Sequence, residues 1–241
     1  MADHASHSAP PNRGISDLTP DQDRRTVRRL RLGIGVIGSL LPVVLPIGNS
    51  ITSARVALLA SMSASYYTHM RNIFVGGLCA IGVFLICYRY DRREDRLSTV
   101  AGAFAVLVAL FPTEPPHSLV PDPSRVQVVV GVLHLCFAAA LFAVLAFFCL
   151  QLFTDSRPEA GPRPGRDWVY LVSGWVIVAC IATITVAEVL HLAWDSPLTL
   201  TYLGESVAVL AFGLAWLVKS EAAAGLAPDA PPRATAVGLN S

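Results

Sequence analysis

Six long apolar runs, separated by short clusters of charged residues, constrain the fold of this chain more than any other feature. A helix needs about 20 apolar residues to cross the roughly 30 Å hydrocarbon core of a bilayer. Charged residues make up 15% of the 241 residues, against about 25% in a typical soluble domain. The sequence therefore predicts an all-α polytopic membrane bundle of six transmembrane helices, at residues 32–48, 73–90, 98–113, 126–153, 168–194 and 199–219.

The two ends of the chain differ in composition from this membrane domain, residues 32–219. Residues 1–31 are polar, proline-rich and basic, and no small-residue cleavage site follows them. A disordered basic cytoplasmic tail is therefore expected there rather than a signal peptide. Residues 220–241 are rich in Ala and Pro, so a second disordered cytoplasmic tail is expected.

Basic residues are distributed unevenly between the connections, and this asymmetry indicates the orientation of the bundle. Cytoplasmic connections of membrane proteins carry the excess of Lys and Arg. Both termini are therefore expected in the cytoplasm, an arrangement that requires an even number of spans. The expected cytoplasmic side carries Arg24, Arg25, Arg28, Arg29, Arg31, Arg89, Arg92, Arg93, Arg96, Arg157, Arg163, Arg166 and Lys219, against Arg55, Arg71 and Arg125 on the other side.

A few ionisable residues fall inside the apolar segments, where a charged group costs roughly 2.5–3.5 kcal/mol on insertion scales. Counted at about 1.5 Å per residue, they all lie in the outer half of the bilayer, and the inner half has no comparable group. The sequence thus predicts a membrane protein with a polar pocket in the outer half of the bilayer. This protein would bind a small molecule or a lipid headgroup, or act as a membrane partner subunit. The candidate pocket residues are His134, Glu188, His191 and Glu205, with Arg71 and Tyr67 at the mouth of segment two.

Each of these residues also has a purely structural interpretation. Glu205 can form a buried ion pair with His191 or Arg71. His134 can be a core histidine that bonds a neighbouring carbonyl. The pair Glu188 and His191 shares a helix face and resembles the Glu-x-x-His pattern of metal-binding bundles, although a single such pair is a weak signal.

Proline and glycine add expectations about packing. Pro42 and Pro46 should kink segment one, and neighbouring helices should bond the carbonyls that the prolines free. Glycines at 76, 77, 82 and 102 favour close contact between helices two and three. The long connection at 49–72 could hold a short interfacial helix over 55–62, and the four prolines in 114–125 predict an extended segment.

Other kinds of chemistry have no support in the sequence. The net charge is +1, so no nucleic-acid partner is expected. The chain has no GxSxG, HExxH, Walker or CxxCH motif. Its five cysteines lie in apolar runs and form no CxxC pair, so they indicate small core residues rather than disulfides.

Several stretches resemble a group of uncharacterised bacterial six-span integral membrane proteins of unknown function. The resemblance covers about residues 48–219 and implies the same fold and a multi-pass location in the bacterial inner (plasma) membrane. It implies no cofactor and no activity. The stretches that carry it are Tyr66–Thr68, Met70–Arg71, Phe74–Leu78, Ala109–Thr113, His134, Glu205, Ala211–Gly213 and Trp216–Lys219.

A more limited resemblance is to the superfamily of alkaline ceramidases and progestin-type receptors, which are seven-span zinc proteins. Ser65 and His69 have the spacing of its Ser-x3-His motif. The resemblance implies an alternative function as a zinc-dependent, membrane-embedded lipid hydrolase. In that alternative His69, His134 and His191 bind zinc, and Glu188 or Glu205 activates a water. A small transporter is the third possibility.

Overall fold

The fold is described by a computed structural model that covers residues 20–54, 59–89, 92–153, 164–190 and 199–220. Within these residues all regular secondary structure is helical, and each predicted apolar segment overlaps one α-helix, with different end residues. The fourth helix continues as a π-helical stretch, Phe148–Leu152. The α-helices are α1 (Pro20–Thr52), α2 (Arg71–Cys87), α3 (Arg92–Leu110), α4 (Arg125–Phe147), α5 (Pro164–Val189) and α6 (Leu200–Lys219).

Four of these helices are long and apolar enough to cross a membrane, so the chain is a helical-bundle membrane protein. Of the other two, α2 is apolar but only 17 residues long. The remaining helix, α3, begins in the charged cluster Arg92–Arg96. The four candidate spans are Arg25–Thr52, Arg125–Leu152, Asp167–Val189 and Leu200–Lys219.

The helices form a ring in which each packs against the next along the chain, and α6 closes the ring against α1. The start of α1 and the end of α6 meet at one end, where the Arg31 guanidinium donates to the Lys219 carbonyl at 3.3 Å. We call this the terminal end. The opposite, distal end holds the connections at 59–70 and 112–124, which the Tyr67 hydroxyl joins by donating to the Thr113 carbonyl at 2.6 Å.

Local sequence explains where the helices at the distal end begin. The Ser124 side chain accepts a hydrogen bond from the Gln127 amide, and the Gln127 side chain accepts one from the Ser124 amide, which forms a capping box at the start of α4. The Thr199 hydroxyl accepts from the Tyr202 amide at 3.0 Å at the start of α6. The segment before α4 is free of helix, as its prolines predict.

Close packing of α2 on α3 depends on two glycines. A Cβ on Gly102 would lie 2.5 Å from the Gly82 carbonyl oxygen, and one on Gly82 would lie 2.8 Å from the Gly102 carbonyl oxygen. The predicted close contact is therefore confirmed for this pair. Gly76 faces open space, with no neighbouring atom within 4 Å of the place that a Cβ would occupy, so it has no part in the contact.

The first helix differs from the sequence prediction at its N-terminal end. A tail was expected up to residue 31, yet α1 begins at Pro20. Proline is tolerated there because the first turn of a helix needs no amide donor. The helix then runs unbroken through Pro42 and Pro46.

The described part of the connection between α1 and α2 folds inward. Of the possible interfacial helix over 55–62, residues 55–58 lie outside the described part of the chain, and Leu59–Met62 is not helical. A short 3-10 helix follows at Ser63–Tyr67. Leu59, Met62, Ser65 and Met70 are all buried, so this segment covers the distal end of the bundle.

Candidate ligand-binding site

A cavity of ≈ 70 Å³ lies inside the ring, among α1, α2, α3, α4 and α6. Its wall consists of aliphatic and aromatic side chains except at three residues, Ser63, His134 and Glu205. An apolar cavity with a few convergent polar groups is the usual form of a small-molecule site. The cavity is therefore the candidate functional site of this protein.

The cavity wall is elongated along the helix axes. On α2 the lining runs from Phe74 to Leu85, and on α4 from His134 to Leu145. Either stretch rises about 16 Å along its helix. Toward the terminal end the helices continue into aromatic residues that close the bundle, among them the fully buried Trp216, whose ring centroid lies 5.2 Å from that of Tyr88.

Glu205 bonds the segment that covers the distal end. Its carboxylate accepts a hydrogen bond from the Met62 amide at 2.5 Å, and the Ser63 amide and hydroxyl also bond to it. Met62 and Ser63 themselves line the cavity. Glu205 therefore holds the inward-folded connection over the cavity, and an ion pair with Arg71, one of the predicted partners, is not formed.

His134 bonds the end of α3 and also lines the cavity. The side chain is 2% exposed, and its Nδ1 lies 2.6 Å from the Phe111 carbonyl oxygen. The Val108 carbonyl bonds the same ring. In a continuous helix Val108 would accept from the amide of residue 112, which is a proline and has no N–H. The predicted structural role of His134, bonding a neighbouring carbonyl, is thus confirmed.

The other predicted pocket residues lie away from the cavity wall. Arg71 is exposed; its Cζ lies 4.0 Å from the centroid of the Tyr66 ring, and its guanidinium donates to the Tyr66 hydroxyl at 2.5 Å. Glu188 is exposed and accepts from the Thr201 hydroxyl at 3.1 Å. The structure therefore does not bring these two residues together with His134 and Glu205 at the cavity.

Tyr67 belongs to the distal cover rather than to the cavity. Its hydroxyl donates to Thr113, and burial raises the pKa of this phenol, with a smaller contribution from Tyr66. Tyr67 does not line the cavity either. Of the remaining candidates, His191 lies outside the described residues.

The predicted zinc ligands do not form a metal site within the described residues. No group of three or more His, Cys, Asp or Glu side chains there could hold a metal ion. His69 is exposed in the distal connection, whereas His134 is buried and bonds two carbonyls through its ring. The third proposed ligand, His191, lies outside the described part of the chain.

The sequence prediction missed a cluster of buried ionisable groups at the terminal end. Glu94 is 2% exposed and Lys219 is 9% exposed, and the ammonium lies 3.5 Å from the carboxylate. The Tyr88 hydroxyl donates to Glu94 at 2.6 Å, and the Arg31 guanidinium donates to the same hydroxyl at 2.7 Å. These residues were missed because each of them flanks an apolar run and by sequence resembles an interfacial charge.

No protein-family model, curated protein or solved structure matches this chain. The resemblances drawn from short stretches of sequence therefore stay predictions. The class of the protein, a helical-bundle membrane protein, follows from its helices. The cavity and its polar end are the features that bear on a more specific function.

Proposed function

We propose that the cavity binds a small amphiphilic molecule, with its polar group at Glu205 and Ser63 and its apolar chain directed toward Leu85. One observation carries this proposal: an elongated apolar cavity has its polar side chains at the distal end. An apolar chain gains free energy by contact with the aliphatic wall. A polar group gains free energy in the cavity only where a hydrogen-bond partner is present.

The chemistry of the polar end narrows the ligand class to a molecule that donates hydrogen bonds. A carboxylate has about four acceptor positions on its two oxygens. The Met62 amide and the Ser63 amide and hydroxyl are three donors to Glu205. The capacity that remains suits an ammonium, amide or hydroxyl group, and an ammonium forms the strongest bond to a carboxylate. An alkylamine is the simplest probe of this class.

The binding test uses protein reconstituted in phosphatidylcholine nanodiscs, with butylamine as the probe, because a cavity of ≈ 70 Å³ has room for a short chain only. Butylamine should raise the melting temperature of the protein, because a ligand that binds only the folded state stabilises it. Ala138 lines the cavity, whereas its neighbour Ala139 is exposed. Ala138→Leu should therefore remove the stabilisation by filling the cavity, and the matched control Ala139→Leu should retain it.

Two comparisons decide whether Glu205 recognises the polar group. Butanoate has the same number of carbons but an anionic head, so it should stabilise the protein less than butylamine does. Glu205→Gln should abolish that difference. Equal stabilisation of wild-type protein by the two probes, or unaltered butylamine binding in Ala138→Leu, would contradict the proposal.

The proposal includes an orientation in which α1–α6 all cross the inner membrane of a bacterium. The arginine asymmetry supports placing both termini in the cytoplasm and the distal end outside. Reporter fusions after Arg93, after Gly161 and at Ser241 should then report the cytoplasm. Fusions near Ser61, Pro121 and Ser196 should report the outside, and a periplasmic C-terminus would refute this orientation.

The alternatives from the sequence are a membrane partner subunit, a zinc-dependent lipid hydrolase and a small transporter. Within the described residues no specific observation favours any of them over ligand binding. Metal analysis of gently purified protein tests the hydrolase directly. Stoichiometric zinc would favour the hydrolase over ligand binding, because the carboxylate of Glu205 would then have a role in activating water.

A further inference from the structure

Two groups of exposed arginines lie at the terminal end of the bundle. The first helix has 33 residues and is about 50 Å long, so it extends well beyond a hydrocarbon core of roughly 30 Å. Its first turns carry Arg25, Arg28 and Arg29, all of which are exposed. Viewed down the axis of α1, with about 100° between successive residues, these arginines and Arg31 lie within an arc of roughly 160°. Val27 lies outside that arc and packs against the core.

A second group of arginines lies beside the first. Arg89, Arg92, Arg93 and Arg96 are exposed where α2 ends and α3 begins. The hydrogen bond from Arg31 to the Tyr88 hydroxyl, at 2.7 Å, brings the two groups to the same end. Arginines from two separate parts of the chain therefore form one surface, which we call the basic rim.

The two carboxylates at the start of α3, Glu94 and Asp95, compensate little of the charge of the basic rim. Glu94 is buried and bonds Lys219 and Tyr88. Asp95 lies 3.9 Å from Arg89, whose side chain is 82% exposed, so that pair is weak. Arg31 bonds Tyr88, at the end of α2, and the Lys219 carbonyl, while Lys219 pairs with Glu94 on α3. These contacts hold the arginines of α1 beside those of α3 before any ligand arrives.

We infer that the basic rim binds the phosphate groups of anionic phospholipids, such as phosphatidylglycerol, in the leaflet that the terminal end faces. Guanidinium groups match phosphate oxygens in bidentate geometry. Clusters of several basic residues next to a membrane helix attract anionic lipids. The rim adjoins the ends of two apolar helices, which places it at headgroup level. This inference does not depend on the cavity or on its ligand.

The test compares lipid adducts of full-length protein by native mass spectrometry from detergent micelles. Phosphatidylglycerol should bind more tightly than phosphatidylcholine with the same acyl chains. Arg28→Gln/Arg29→Gln and Arg92→Gln/Arg93→Gln should each weaken phosphatidylglycerol binding by about tenfold or more and leave phosphatidylcholine binding unchanged.

The matched control is Arg71→Gln/Arg125→Gln, which removes two exposed arginines from the distal end. This control should retain the preference for phosphatidylglycerol. Equal binding of both lipids by wild-type protein would overturn the inference. Equal losses of phosphatidylglycerol binding in the control and in the rim variants would also overturn it, because such losses would reflect net charge alone. If millimolar inorganic phosphate displaced phosphatidylglycerol fully, the rim would bind free anions and not a lipid surface.

Discussion

The ammonium group of Lys219, at the end of α6, lies 3.5 Å from the carboxylate of Glu94, near the start of α3. Both side chains are buried, and the Tyr88 hydroxyl bonds the second carboxylate oxygen. Burying two charges is costly, and their attraction offsets that cost only while both are present. This pair therefore joins two helices that are distant in sequence and are not neighbours in the ring.

Breaking this pair from either side should destabilise the protein. Glu94→Gln or Lys219→Met should each lower the free energy of unfolding by about 3–5 kcal/mol, because the remaining charge stays buried without its partner. The double variant should lose less than the sum of the single losses. Asp95→Asn is the control. Because Asp95 pairs with the exposed Arg89, this variant should lose only about 0–1 kcal/mol. Thermal unfolding in detergent measures all four, and strict additivity would argue against a direct pair.

A tyrosine on α6 stabilises the proline-containing helix α1. The Tyr202 hydroxyl donates to the Pro42 carbonyl at 2.6 Å, and Pro46 is the residue whose missing amide frees that carbonyl. Tyr202→Phe should lower the free energy of unfolding by about 1–3 kcal/mol, because it leaves a buried acceptor without a donor. Tyr66→Phe, which removes a surface hydroxyl, should change it far less. Equal melting temperatures for the two variants would contradict this role.

The bond between His134 and α3 can be tested by supplying the missing donor. His134→Phe should destabilise the protein by about 1–3 kcal/mol, since it leaves the Phe111 and Val108 carbonyls without their imidazole donor. Pro112→Ala restores an amide that can donate to Val108. Added to His134→Phe, this second change should recover part of the lost stability, as measured by thermal unfolding. A further loss in the double variant would show that the proline has another role.

Glu205 should control how firmly the distal cover is held. Glu205→Ala removes the acceptor for Met62 and Ser63, so hydrogen exchange should become faster over residues 59–70. Exchange in α5, which does not line the cavity, serves as the internal control and should stay the same. Glu205→Gln keeps one carbonyl acceptor and should have a smaller effect. Uniformly faster exchange in all helices would indicate global destabilisation rather than release of the cover.

The helices themselves could be predicted from the sequence, because a run of apolar residues long enough to match a bilayer is a local property. The same holds for the capped start of α4, which needs only Ser124 and Gln127. Two candidate cavity residues, His134 and Glu205, were also identified, since an ionisable residue within an apolar run is unusual in itself. The helical residues before Arg31 were missed, because their polar composition resembles that of a disordered tail.

Tertiary structure alone decided which polar groups meet. Glu205 bonds Met62, 143 residues away, and Lys219 bonds Glu94, 125 residues away. An apolar pattern indicates which residues are embedded, but the rotation of each helix and its neighbours in the ring determine what a polar side chain faces. Arg71 and Glu188 point to the surface for this reason, while Glu94, which looked like a surface charge, is buried. A charge can be buried only where the fold supplies its partner, and that partner is not visible in the local sequence.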